Sequence, residues 1–214
     1  MREGINGKKN KRSSYYEMQR PNLLYPNEAY INSEKNINKA DLVRMKYVYE
    51  DNKSFLGGAM LDVGCNDGYF MRHFNWKFDK YLGIDMFSIY EYLRTEDITG
   101  YNKDGKIVYQ TGIFEDMDLE EKFDFIFAGE ILEHVEDVGI FLKKIQACLK
   151  DGGYACFTTP NDIGISQPEH YRQYNRNTLI NELQNFFDVE KVEELPAINN
   201  SWPFLYAKVK RRDI

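Results

Sequence analysis

The segment EILEHVEDV, residues 130 to 138, sets Glu130, Glu133 and His134 at positions i, i+3 and i+4. Two carboxylates and an imidazole on one face of a helix start can do three different things. They suit a divalent cation, which accepts oxygen and nitrogen donors together and can lower the pKa of a hydroxyl held beside it. They can also supply a catalytic base and its orienting partner. The plainest role is electrostatic, since acidic side chains stabilise the positive end of a helix dipole. Three ligands leave room for a fourth, and the late segment PEHYRQYNRNTL offers His170. The remaining histidine, His73 in YFMRHF, reads as a helix-surface or packing residue.

Such a constellation needs a scaffold that brings distant segments together at one edge. From residue 59 the chain alternates short apolar runs with helical stretches. AMLDVGC, KYLGIDM, KIVYQTG, FDFIFAG, GGYACFTTP and WPFLYAKVKR read as strands, with VGIFLKKIQACLK and NTLINELQNFF as helices between them. That alternation predicts a doubly wound α/β sheet. In LDVGCNDGYF the first strand runs into Gly64, Cys65, Asn66, Asp67 and Gly68, where glycine permits a sharp turn and close approach of a ligand to the backbone. About twenty residues on, Asp85 ends the second strand, where a carboxylate can accept both hydroxyls of a ribose. A nucleotide-like ligand is implied, against the alternative of a plain tight turn.

With 214 residues, 43% of them hydrophobic and 29% charged, the chain has material for one folded core. The net charge of -6 disfavours a broad nucleic-acid surface, which needs clustered Lys and Arg. No run reaches the roughly 20 apolar residues of a membrane span, and the N-terminus lacks the apolar segment of a signal peptide, so a cytoplasmic protein is expected. Cys65, Cys148 and Cys156 are too few and too irregular for a disulfide framework or a cysteine zinc site. Residues 1–12 read as a flexible basic tail. Residues 13–58 read as a tyrosine-bearing lid or surface wrap followed by a helix through KADLVRMKYVYEDNKSFL, capped by Asn38, with Leu42, Met45, Val48 and Tyr49 at helical spacing.

LDVGCNDGYF, YLGIDMF, FDFIFAGEILEHV, LKDGGYACFTTPN and EHYRQYNRNTLINEL together resemble class I S-adenosylmethionine-dependent methyltransferases over roughly residues 40 to 214. The ubiquinone-biosynthesis O-methyltransferase group is closest in flavour, and the small-RNA 3′-terminal 2′-O-methyltransferases are also similar. The resemblance implies a Rossmann-like, seven-stranded, mostly parallel sheet with an antiparallel last strand and helices on both faces, over a methyltransferase domain at 59–214. It implies that Asp62, Gly64, Cys65, Asn66 and Gly68 form the loop at the methionine part of the donor. Asp85 would bind the ribose, Met86 would flank the adenine, and Gly129 and Glu130 would lie near the sulfonium. Asn66 stands where the family has the middle glycine of its motif. Ile113, followed by Phe114, stands where an acidic residue is often found near the adenine amino group, so apolar and backbone contacts are expected there. It further implies a metal site, Mg²⁺ or another divalent cation, on Glu130, Glu133, His134 and His170. Relatives with the same Glu-His pair and no metal leave two alternatives behind the metal reading, first His134 as a base and then the segment as a helix cap.

The function expected is transfer of a methyl group from S-adenosyl-L-methionine to a hydroxyl of a small molecule, a phenolic metabolite or a sugar, with Glu133 and His134 promoting deprotonation. The alternatives are RNA 3′-terminal 2′-O-methylation, small-molecule N-methylation and a catalytically silent donor-binding partner. Tyr171, Tyr174 and Arg176 are candidates to line the acceptor pocket or anchor an anion, and Thr158 to Asn161 either reach the acceptor or form a turn.

Overall fold

The computed structural model describes residues 39–54, 57–66, 68, 70–71, 74, 77–86, 106–165, 167–168, 170–197 and 203–212. The expected tail 1–12, the segment 13–38 with Asn38, and His73 lie outside them. The described chain forms one seven-stranded sheet from β1 (Ala59–Val63), β2 (Lys80–Asp85), β3 (Ile107–Thr111), β4 (Phe123–Gly129), β5 (Leu149–Pro160), β6 (Phe187–Leu195) and β7 (Phe204–Arg211). Their order is β3-β2-β1-β4-β5-β7-β6. The first five run parallel, with Leu61 opposite Leu82 on one side and Ile126 on the other. β7 is antiparallel to both β5 and β6. The order reverses between β1 and β4, so their carboxyl ends flank the crevice where open α/β sheets take ligands.

Side chains alternate across this sheet, apart from register shifts at Phe123/Phe125 and Val189/Lys191. Leu61, Val63, Leu82, Ile84, Ile126, Ala128, Ala155, Phe157, Leu205 and Ala207 pack in one cluster with α2 (Val138–Cys148) and α3 (Arg176–Leu183). Met60, Tyr81, Phe125, Phe127, Cys156 and Tyr206 face the other way, towards Val48 of α1 (Lys39–Asn52) and Phe70. Helices therefore cover both faces, and a period-2 pattern supplies both cores.

Three local expectations are corrected. The segment after β4 is not the start of a helix: Leu132–His134 form a 3-10 turn, and α2 begins at Val138 with Asp137 as its cap, accepting from the Ile140 N–H. Helix α3 stops at Leu183, and Phe187 opens β6, a strand the sequence pattern did not reveal because its exposed face is Asp188, Glu190 and Glu194. On α1 the buried positions are Arg44, Val48 and Asn52, while Leu42 is exposed. Polar partners decide that face. Asn52 donates to Val48 O at 2.7 Å and to the Tyr206 hydroxyl at 3.0 Å. Tyr206 donates to Asp51 at 2.7 Å, and Lys191 donates to Asp51 at 2.8 Å and to Tyr47 at 3.0 Å. The three cysteines are free and buried.

Candidate functional site

At the carboxyl ends of β1 and β2 an open cleft of about 450 Å³ is lined by Val63, Gly64, Ile84, Asp85, Met86 and Gly112, then by Ile113, Phe114, Glu115, Ile131, His134 and Val135. The loop beneath it depends on left-handed backbone. Gly64 has φ +76°, and a Cβ there would come within 3.0 Å of Ile131. Gly68, at φ +71°, has the Tyr109 hydroxyl 2.4 Å from where a Cβ would stand. Asn66 adopts φ +49°, the conformation asparagine tolerates in place of glycine. Its N–H donates to Asp85 Oδ2 at 2.9 Å, tying the loop to the second strand end.

Of the residues expected at the donor, Gly64, Asp85, Met86, Ile113 and Phe114 line this cleft. Asp62 is buried and accepts from the Tyr81 hydroxyl at 2.8 Å. Burial, then the Asp62 charge, pushes the Tyr81 phenol well above its ordinary range, so it stays a donor. Cys65 and Gly68 are buried behind the loop. Glu115, two positions beyond Ile113, lines the cleft and was not anticipated; the displaced acidic residue was its only signal.

Glu130 leaves β4 with φ +54°, a conformation that costs a non-glycine residue about 1 kcal/mol. Its N–H donates to Thr158 O at 2.8 Å, which holds the turn. The side chain faces Arg44 Nη1 at 3.7 Å. Arg44 also donates to Thr158 Oγ1 at 2.9 Å and lies over the Phe204 ring. Among the described residues Arg44 Nε has no hydrogen bond, and buried Glu130 Oε1 has only the 3.7 Å ion pair with Arg44. Burial raises the Glu130 carboxyl pKa, and Arg44 opposes the rise. Sequence reading missed Arg44, an arginine on a face expected to be apolar.

The structure brings Glu133, His134 and His170 together, with one candidate ligand atom of each within 4.8 Å of the others. Glu130 is outside that group. Glu133 is 1% exposed and accepts from Thr159 Oγ1 at 2.9 Å. Its carboxyl pKa is driven well above the usual range, first by burial and then by the charge of Glu130. The His134 and His170 rings meet edge to face with centroids 4.9 Å apart. Two carboxylate or imidazole-bearing segments are clamped to each other here: Tyr171 N–H donates to Glu133 O at 2.8 Å. Arg172 donates to Leu132 O at 2.8 Å, to Val135 O, and to Glu136 O at 2.9 Å. His170 Nδ1 lies 2.7 Å from Asp162 Oδ2. The donor set fits a divalent cation, because a buried carboxyl short of positive charge stands beside two imidazoles, one oriented by a carboxylate.

Other candidates have structural partners. Tyr174 is buried and donates to Glu182, and Arg176 Nε donates to Val192 O at 3.1 Å. Tyr171 stays 45% exposed at the rim. Thr158 and Thr159 act through Arg44 and Glu133, while Asn161 N–H donates to Pro203 O at 2.8 Å.

A family model described as a methyltransferase domain matches residues 36–196. The ubiquinone biosynthesis O-methyltransferase of Nitrobacter winogradskyi is 34% identical over 105 residues, covering 49% of this chain and 40% of that protein. Its counterpart in a Bradyrhizobium species is 33% identical over 105 residues, covering 49% and 41%. The match thus spans under half the length of these relatives. Among solved structures, the N-methyltransferase NodS from Bradyrhizobium japonicum, in complex with S-adenosylhomocysteine, superposes with a TM-score of 0.73 at 16% identity, covering 93% of this chain and 99% of that one. The 1,6-didemethyltoxoflavin-N1-methyltransferase of Burkholderia thailandensis gives a TM-score of 0.74 at 15% identity, covering 98% and 94%. At such identities the likeness is one of fold.

Proposed function

The chain belongs to the class I S-adenosylmethionine-dependent methyltransferases, and on that premise we propose that it methylates a hydroxyl group of a small molecule with the help of a divalent cation. The observation that carries this reading is that His134 belongs both to the wall of the cleft and to the cluster with Glu133 and His170. A cation-binding face therefore adjoins the donor cleft, on the side from which an acceptor would reach the sulfonium.

In the cleft, Asp85 accepts from the ribose hydroxyls, and Met86, Ile113 and Phe114 supply apolar walls for the adenine. The methionine end of the donor carries an ammonium and a carboxylate. Glu130 and Arg44, paired with each other and each with one buried atom that has no hydrogen bond among the described residues, offer the matching opposite charges. This separates Glu130 from the cation ligands and gives it to the donor.

Reaction is an in-line displacement: an oxygen lone pair forms the C–O bond as the C–S bond breaks, its electrons going to sulfur to give S-adenosylhomocysteine. Glu133, His134 and His170 would hold the cation, which when bound supplies Lewis acidity to lower the acceptor hydroxyl pKa. Thr159 orients Glu133, and Arg172 with the Tyr171 N–H holds the two ligand-bearing segments in register. Without a cation, a ring nitrogen of His134 would take the hydroxyl proton instead.

An N-methylation reading has its own support, since Glu133 and His134 stand together where they could take the proton an ammonium must lose before its nitrogen attacks. One experiment separates the readings. Chelator-treated protein is given donor and a catechol, a simple phenol or a primary amine, with and without Mg²⁺ or Mn²⁺, and S-adenosylhomocysteine is measured. Turnover of the catechol that depends on the cation and is lost in Glu133→Gln is expected. Turnover confined to the amine, indifferent to cation, would overturn the proposal in favour of N-methylation.

A further inference from the structure

We propose that Asp162 is a positioning residue for His170, accepting a hydrogen bond from the Nδ1–H of the ring so that Nε2 is left with its lone pair available. The proposal rests on the reading of Glu133, His134 and His170 as one functional cluster, and holds whether that lone pair serves a cation or a proton. Asp162 is 1% exposed, and its Oδ2 lies 2.7 Å from His170 Nδ1. A carboxylate has no proton to give, so at this separation Nδ1 is the protonated nitrogen. Imidazole offers one lone pair at a time, and the tautomer set on one nitrogen decides what the other can do.

The rest of the loop holds Asp162 to this task. Its Oδ1 accepts from the Tyr174 N–H at 3.2 Å, and its own N–H donates to Tyr174 O at 3.2 Å. Tyr174 is anchored in the core and donates to Glu182. Ile165 N–H donates to Asp162 O at 2.9 Å, and Gln173 accepts from Gly164 N–H at 3.2 Å. A neutral asparagine would close the same loop with the same backbone bond. What it would lack is the second acceptor oxygen. Because the Tyr174 N–H claims the amide oxygen, Asp162→Asn must turn its NH₂ towards His170 Nδ1. The ring is then forced into the tautomer protonated on Nε2, and its outward lone pair disappears. The substitution preserves size and loop contacts while reversing the one property in question.

The test is ring tautomer by long-range ¹H–¹⁵N correlation on protein labelled at histidine, at a pH where the rings are neutral, with His170 assigned by its loss in His170→Gln. The wild type should show His170 protonated on Nδ1. Asp162→Asn should show it protonated on Nε2, with an unchanged circular dichroism spectrum and Mn²⁺ affinity lower by about tenfold or more. Wild-type His170 protonated on Nε2 would overturn the proposal by itself, even if the variant did not fold. So would a variant that keeps both the Nδ1 tautomer and the Mn²⁺ affinity. If the wild type binds no Mn²⁺ but the tautomers switch as stated, the role of Asp162 stands and the cation reading falls.

Discussion

The molecule contains two buried polar networks about α1, and they are satisfied to different degrees. At its C-terminal end Asn52, Asp51, Tyr206, Lys191 and Tyr47 bond to one another and to Val48 O. Burial pushes the Cys156 thiol beside them up to about 12. At its N-terminal end Arg44 and Glu130 face each other at 3.7 Å, and each keeps one buried atom without a hydrogen bond among the described residues. A buried polar atom without a hydrogen bond costs roughly 1–3 kcal/mol, so the first network attaches helix to sheet, and the second carries a cost that a charged ligand would relieve. Glu133 belongs with the second: its carboxyl is destabilised by burial and by Glu130, which Arg44 opposes.

The largest expected effect is on stability. Asp51→Ala removes the shared acceptor of Lys191 and Tyr206 and should destabilise by about 3 kcal/mol in urea unfolding, leaving donor affinity within twofold. Equal losses of both would erase the distinction. Arg44→Met should do the reverse, weakening donor binding by about 2 kcal/mol, roughly thirtyfold by calorimetry, with a smaller change in stability.

Glu133→Gln should raise the stability of the cation-free protein by on the order of 1 kcal/mol at neutral pH. The sign follows from the raised pKa. The folded state holds the Glu133 proton more tightly than the unfolded chain, so its stability falls as pH rises from the unfolded carboxyl value through the folded one. The gain from glutamine should vanish in acid, grow across that window and then level off; a pH-independent difference in melting temperature would contradict it. Asp51 has the opposite sign: burial opposes ionisation, but bonds from Lys191 and Tyr206 outweigh it and leave its pKa lowered. Its contribution is present above the unfolded value and lost as pH falls through the folded one. Smallest of all, Lys80→Ala breaks the exposed pair with Glu121 at 2.6 Å and should change stability by no more than about 0.5 kcal/mol.

The glycine loop, Asp85 at the end of β2 and the alternation of strands and helices were legible because each has a local cause. A left-handed turn selects Gly64 and Gly68, and a buried parallel strand selects an apolar run. The helical reading of residues 130 to 134 failed for a reason no periodicity reveals: Asp137 caps α2 later, and Arg172, forty positions from Leu132, satisfies the carbonyls of the turn left between. Strand β6 was hidden because an edge strand needs only one apolar face.

Sequence alone determined the class of fold, the glycine loop after β1 and the residue types able to hold a cation, since these depend on local backbone preference and ligand chemistry. Only the tertiary structure decided how they divide. It set Glu130 against Arg44, placed His170 beside Glu133 and His134, and gave His170 its buried partner Asp162. Those assignments rest on distances between segments far apart in the chain, which the packing of loops over the strand ends fixes and residue spacing does not encode.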